Sequence, residues 1–415
     1  MNTSIRLAFN NFISIYQGLS REIWVLSVVS LINRIGAMVI PFLSIYLADA
    51  KGFTLAEIGW VMSSFGVGSL IGSWLGGKLT DKFGFYPIII FSLFTSGIGL
   101  ILLKELDTFY EICGGFFLVT LFTDILRPPI FVAIRQYSSE KNRTKSITLI
   151  RLAINLGFSA GPATGGLLIA TWGYTSLFWV DGVSCILALL IFVLAIQPKK
   201  KMVEENDDSL EENKKSQSPY RDFPYLLFIL SMVFFGVIFM QYFSTVPLFY
   251  KEVHELNEAV IGLLLSSNGF VIFLLEMPLI HWVEKQKKYS TMQIMMSSIV
   301  LVLLSYILLI VGHDLWVLFI GMMLLTLGEM LMFPLSNAEA MSRASGKYQG
   351  DYMALYTIAF SISHLVGHNL GMQSVNIFGY NYTWTFMIAG LLLCIVLLQL
   401  FQFSKKREEL SQTAK

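Results

Sequence analysis

Glu329, Asp124, Arg34 and Arg127 each stand inside a long apolar stretch. An ionised side chain there costs on the order of 2.5 to 3.5 kcal/mol even on a lenient membrane-insertion scale, so such groups default to function. Glu329 lies in Leu327-Gly328-Glu329-Met330-Leu331-Met332-Phe333-Pro334, and a carboxyl desolvated in such a setting is suited to take up and release a proton. A permanently hydrogen-bonded structural acid is the alternative. Asp124 and Arg127 are three residues apart, hence on one face of a helix. For Asp124 both a proton-carrying role and a static pair with Arg127 or Arg34 stand open. Arg151 and Asn155 fall near the depth of Arg127, while Asp181 and Glu276 lie nearer the two surfaces and read as solvated or capping groups. His364 and His368, four apart, have a spacing that can hold a metal. Without a third ligand they read as helix–helix hydrogen-bonding groups, so no metal and no cofactor is expected. Phe239, Gln241 and Tyr242, with Asn268 further on, offer aromatic surface and a few amides, a lining suited to amphiphilic or aromatic ligands.

The elements that must position these groups follow from composition. Of 415 residues, 55% are hydrophobic and only 14% charged, where an ordinary globular chain has about 25% charged. Charge-free runs such as Trp60 to Gly77 and Met387 to Phe403 approach the roughly 20 residues that cross a bilayer. A soluble enzyme, a disordered protein and a nucleic-acid binder are excluded. Cys113, Cys185 and Cys394 all lie within apolar runs and form no disulfide framework. Hydropathy predicts twelve spans, near 23–48, 55–77, 85–103, 109–134, 145–170, 174–196, 224–249, 259–283, 290–311, 315–341, 350–376 and 382–404. The domain reading is an amphipathic N-terminal segment over 1–22, a six-helix bundle over 23–196, a charged linker over 197–223, a second six-helix bundle over 224–404 and a tail over 405–415. Of the 29 Lys and Arg residues, Arg34, Arg127 and Arg151 fall within spans, Lys51, Lys104 and Lys251 in outer loops, and the remaining 23 in segments that the positive-inside rule then makes cytoplasmic. Both termini are expected inside the cell, in an inner membrane.

After the second span comes Gly77-Lys78-Leu79-Thr80-Asp81-Lys82-Phe83-Gly84, which resembles the signature loop of the major facilitator superfamily. The likeness extends over the whole chain through the twelve spans and central linker. It implies an all-α membrane fold of two pseudo-symmetric six-helix bundles, with spans 1, 4, 7 and 10 lining a central cavity. It also implies that the first glycine of the loop permits close helix approach and that the acid joins a charge network. The match carries over to Gly77, Asp81 and Gly84, whereas the family's basic pair after the second glycine is here Phe85-Tyr86. In the fifth span, Gly157, Gly161, Pro162, Gly165 and Gly166 resemble a motif associated with antiporters of that superfamily; small-residue helix packing explains the same spacing. The segment around Glu329 is similar to that of some proton-driven multidrug antiporters and oligopeptide transporters. In the fourth span Arg127 is followed by Pro128-Pro129 in place of the family's Gln-Gly.

The expected function is secondary transport by alternating access: proton-coupled export of amphiphilic small molecules, with Glu329 and Asp124 as proton-coupling groups and Arg34, Arg127 and Arg151 as charge partners. The expected partners are a small-molecule substrate, protons and the bilayer, with no nucleic acid, and the expected state is a monomer. A proton-coupled importer of peptides or other polar solutes is the nearest alternative, although the Glu-x-x-Glu-Arg pattern of peptide transporters is missing around Asn33-Arg34. A non-transporting receptor or membrane-embedded enzyme is the alternative of another class. Gly72 to Lys78 fits a P-loop pattern, but Leu79 replaces the hydroxyl needed for a metal and the segment is an apolar helix, so no nucleotide site is expected.

Overall fold

The computed structural model describes residues 18–139, 142–198, 218–286, 288–343 and 349–413. Most of the segments read above over 1–22 and 197–223 therefore lie outside the described residues. Among those described, helices dominate and no strand occurs. Eleven helical segments are long and apolar enough to cross a membrane. A further helix, Gln349–Phe378, carries His364, His368, Asn369 and Gln373 along its length and occupies the place of the eleventh predicted span.

The helix ends follow local chemistry. Thr108 accepts from the Glu111 N–H while Glu111 reaches back to the Thr108 N–H, which starts the fourth span at Phe109. Ser290 and Gln293 make the same reciprocal pair ahead of the ninth span, Thr291–Val311. Asn257 caps the eighth, Glu258–Lys285, by accepting from Val260 N–H. Gly84, at φ +83°, separates the second and third spans, Leu55–Phe83 and Phe85–Leu103, in a conformation that a side chain would strain.

Among the described residues, three spans are broken. The first is two helices, Arg21–Ile35 and Val39–Asp49; the fourth is Phe109–Asp124 followed by Arg127–Tyr137. The seventh runs Phe223–Phe239, tightens through a short 3₁₀ turn over Met240–Phe243 and resumes as Thr245–Glu252. In the fourth span Pro128 and Pro129 occupy the first turn of the second piece, where the missing N–H of proline costs nothing. The fifth span, Arg143–Trp172, runs through Pro162 unbroken, and the tenth, Leu315–Arg343, through Pro334.

By packing, the described chain forms two compact units. One comprises residues of Met1–Ile40 and Ser64–Glu204; the other comprises Pro41–Ser63 and Glu205–Lys415. In the first unit, buried Ile23, Leu26, Val29, Phe85, Ile89, Ile134 and Phe192 join the first, third, fourth and sixth spans in one apolar cluster. In the second, Tyr225, Phe228, Tyr306, Trp384 and Phe401 are fully buried. There the second piece of the first span meets the seventh: Ser44 Oγ donates to the Ser244 carbonyl at 2.7 Å, and Lys251 lies 3.7 Å from Asp49 and 2.6 Å from Glu258.

Candidate functional site

In the first unit the site is built by close helix approach. Gly68, Gly72 and Gly76 recur every fourth residue on the second span, and a Cβ on any of them would overlap backbone of the fourth span, at Phe117, Leu121 and Ile125 in turn. That stripe holds the two helices nearly backbone to backbone. Ser69, beside it, thereby reaches the Asp124 carboxylate with its hydroxyl. Asp124 is 4% exposed, and the Arg127 guanidinium lies 2.7 Å from its other oxygen, across the break in the span. Arg34 sits over the Phe158 ring at 5.2 Å. A cavity of about 80 Å³ is lined by Asn33, Arg34, Asp124, Arg127, Asp181 and Cys185 among others.

The fifth-span glycines serve the same unit. A Cβ on Gly157 would overlap Arg34, and one on Gly161 would press on the carbonyls of Arg34 and Ile35. Helix packing thus accounts for these two positions of the motif. Pro162, Gly165 and Gly166 are buried within the same continuous helix.

Asp181, on the sixth span (Thr175–Ala195), is 2% exposed and accepts the Met38 N–H at 3.0 Å and the Val39 N–H at 2.9 Å. These donors open the second piece of the first span, so the carboxylate caps a helix from a different element. The sequence offers capping as one role for Asp181 but gives no sign of the helix it caps.

In the second unit Glu329 stands on the unbroken tenth span. The Asn268 amide donates to its carboxylate at 2.9 Å and to Thr326 Oγ1 at 3.0 Å. No cation pairs with Glu329 among the described residues. Phe333, one turn along on the same face, packs edge-on to Phe239 at 5.0 Å and Phe235 at 6.0 Å and against Phe360 at 5.4 Å. Phe333, Phe360 and Phe243 each retain partial exposure.

Other sequence candidates lie elsewhere. Gln241 is wholly buried: its amide donates to the Val237 and Gly367 carbonyls, and its oxygen accepts from Thr245 Oγ1. It braces the break in the seventh span instead of facing a cavity, because the 3₁₀ turn there releases carbonyls that need donors. Tyr242 is likewise buried, with its hydroxyl 3.1 Å from Ser305 and its ring 5.7 Å from Tyr306. Phe239 is 5% exposed and serves the aromatic cluster. Arg151 is exposed and Asn155 half-buried, and neither lines the cavity around Asp124. The expected loop from Gly77 is helix as far as Phe83, with Gly84 alone as the turn. Nothing between Gly77 and Phe83 breaks a helix, and a Cβ on Gly77 would meet open space. Close approach falls one residue earlier, at Gly76. Asp81 lies within the last turn of that helix.

The profile of the Major Facilitator Superfamily matches residues 24–368. An uncharacterized transporter of Buchnera aphidicola is 25% identical over 53% of this chain, and the match spans only 56% of that protein. A Na(+), Li(+), K(+)/H(+) antiporter of Planococcus maritimus is 23% identical, over 85% of this chain and 88% of its own. The quinolone resistance protein NorA of Staphylococcus aureus is 26% identical, over 64% and 69% respectively. A crystal structure of a peptide transporter POT in complex with sulfate superposes with a TM-score of 0.76 at 15% identity, over 94% of this chain and 96% of that one. The likeness to the peptide transporter is one of fold. With its membrane spans, fold and family profile in agreement, this chain is a multi-pass membrane protein and belongs to the major facilitator superfamily.

Proposed function

We propose that the protein is a proton-coupled secondary transporter that exports amphiphilic small molecules by alternating access, as a monomer in a cell membrane with both termini cytoplasmic. The observation that carries this reading is the setting of Glu329. Its carboxyl is held by the neutral amide of Asn268, so it can gain or lose a proton without breaking an ion pair. One turn away, the partly exposed rings of Phe333, Phe360 and Phe243 offer an apolar, polarisable surface to an aromatic or cationic amphiphile. Substrate binding beside a deprotonated Glu329 and proton binding to it then compete, which is the minimum an antiporter needs. The named activities of the Planococcus maritimus and Staphylococcus aureus relatives are consistent with that exchange.

The test is everted vesicles containing the purified protein, with a luminal pH probe and no imposed gradient. Adding an amphiphilic cation should alkalinise the lumen in the wild type and not in Glu329→Gln. Luminal acidification on adding a dipeptide would overturn export in favour of proton-coupled uptake. Silence toward every compound would remove the assignment of Glu329 as a carrier.

A further inference from the structure

We infer that Asp181 is a second proton-binding site of the chain, and that its occupancy is read by the break in the first span. The inference extends the proposed transport mechanism and rests on it only for its consequence; the site itself stands on geometry.

The first span is interrupted at Gly36, Ala37 and Met38, so the piece beginning at Val39 opens without the i−4 acceptors of a continuous helix: the Met38 N–H is shared between the Gly36 carbonyl at 2.9 Å and Asp181, and the Val39 N–H turns to Asp181. Asp181 supplies both of its oxygens to those groups, at 2.9 and 3.0 Å. The approach is enforced: a Cβ on Gly36 would overlap the Ser184 side chain of the sixth span, so only glycine lets the break lie this close. The carboxylate has no cation in ion-pair contact among the described residues. Its negative charge is held by backbone N–H groups and the positive end of a helix alone.

That arrangement binds the ionised form and loosens on protonation. A neutral carboxyl keeps one weak acceptor oxygen and loses the charge that the helix end favours. The proton has a place from which to come: the cavity of about 80 Å³ reaches Asp181, Asn33, Arg34, Asp124 and Arg127. It is polar enough on one wall to hold water, which needs two or more polar partners. The charged and titratable groups facing it are Arg34 from the first span, Asp124 and Arg127 from the fourth, and Cys185 from the sixth.

The consequence of releasing the clasp is set by where it sits. The helix that the clasp opens, Val39–Asp49, is bound further along by Ser44 and Asp49 to residues of the seventh span. Proton binding at Asp181 therefore frees one end of a helix whose other end is held by other residues, and the break acts as a hinge.

Two readouts that do not require transport test this. Infrared difference spectra of the protein in nanodiscs between alkaline and acid buffer should contain a protonated-carboxyl band that is missing in Asp181→Asn and kept in Glu329→Gln. Hydrogen exchange of the peptide spanning residues 36–43, corrected for intrinsic rates, should lose protection on the order of tenfold on acidification in the wild type. In Asp181→Asn the same peptide should be equally unprotected at both values of pH. Should Asp181→Asn not fold, Asp181→Glu retains the acid on a longer arm and should move the midpoint of the exchange transition. The inference is overturned if the band survives in Asp181→Asn, or if exchange over 36–43 ignores pH in the wild type. If the proposed antiport fails in vesicles while both signals persist, the transport reading is at fault and the clasp stands.

Discussion

Asp124 and Glu329 are two carboxylates on spans of the same fold in opposite settings. Asp124 sits at a break, is bonded by Ser69 and paired with Arg127 at 2.7 Å. Glu329 sits on an unbroken helix with an amide for a partner. The contrast separates two duties that sequence alone leaves together. A carboxylate that keeps a cation cannot change its charge without breaking an ion pair, whereas one held by a single side-chain amide can. On this reading Asp124 anchors and Glu329 exchanges.

The sharpest way to break the contrast is to neutralise each acid in turn. Glu329→Gln should reduce substrate-driven proton movement in vesicles to background while the thermal unfolding midpoint stays within a few degrees of the wild type, because Gln still accepts from Asn268. Asp124→Asn should do the reverse, lowering stability by about 1–2 kcal/mol, because the Arg127 side chain is half exposed and water replaces part of what it loses, and reducing proton movement only in proportion to folded protein. Equal loss of coupling with unchanged stability in both variants would dissolve the distinction.

Gly72→Val tests whether the anchor depends on helix approach. Forcing side-chain volume against the Leu121 backbone should cost about 1–3 kcal/mol and separate Ser69 from Asp124, read as a lower midpoint in detergent. Gly77→Val, where open space surrounds the Cβ position, should be neutral or stabilising by roughly 0.5 kcal/mol or less, because valine is a better helix former than glycine. Asn268→Ala removes the hydrogen bond to Glu329 and leaves Thr326 with its own donation to the Met322 carbonyl. It should destabilise by about 1 kcal/mol and shift the pH midpoint of transport without abolishing it. Retention of that midpoint would mean that Asn268 does not set the proton affinity of Glu329.

The smallest effect concerns Asp222, outside the spans. Burial alone would raise its carboxyl, but hydrogen bonds from Arg343, Tyr352 and the Tyr225 N–H hold it below the usual carboxylate range. A depressed folded value gives stability that is present above the unfolded value and lost as pH falls through the folded one. Asp222→Asn should therefore flatten the acid limb of the stability curve at pH below about 4 and leave neutral pH less stable than the wild type.

Much of this fold is legible in sequence because hydropathy and caps are local. The third span is predicted at 85–103 and found at Phe85–Leu103, and the ninth is displaced by one residue at its start. The broken spans are not legible in the same way. Pro128-Pro129 hints at the fourth, but the break in the first depends on an acceptor from another span, Asp181, and the break in the seventh on Gln241 within the turn itself, which ties the Val237 carbonyl to that of Gly367 on the eleventh. Hydropathy cannot see a partner. Glu329, Asp124 and Arg127 stand out because charge in an apolar run is itself the signal. The Gly68, Gly72 and Gly76 stripe carried a readable spacing too, and it places Asp124 more directly than the motif in the fifth span does. Gln241 and Tyr242 misled because a polar group within a span satisfies a backbone break as readily as it faces a ligand.

The cap on the first span also sets a schedule for biosynthesis. Met38 and Val39 take their acceptor from a residue 143 and 142 positions later. At the roughly 5–20 residues per second of protein synthesis, that partner emerges about 7 to 30 seconds after the first span. Until then the Met38 N–H has only the Gly36 carbonyl and the Val39 N–H lacks its Asp181 acceptor, a state that hydrocarbon penalises and water or the insertion machinery can relieve. The second piece of the first span should therefore reach its final depth only when the sixth span arrives. A nascent chain stalled before Asp181 should hold that piece in a water-accessible place, and one stalled after it should not.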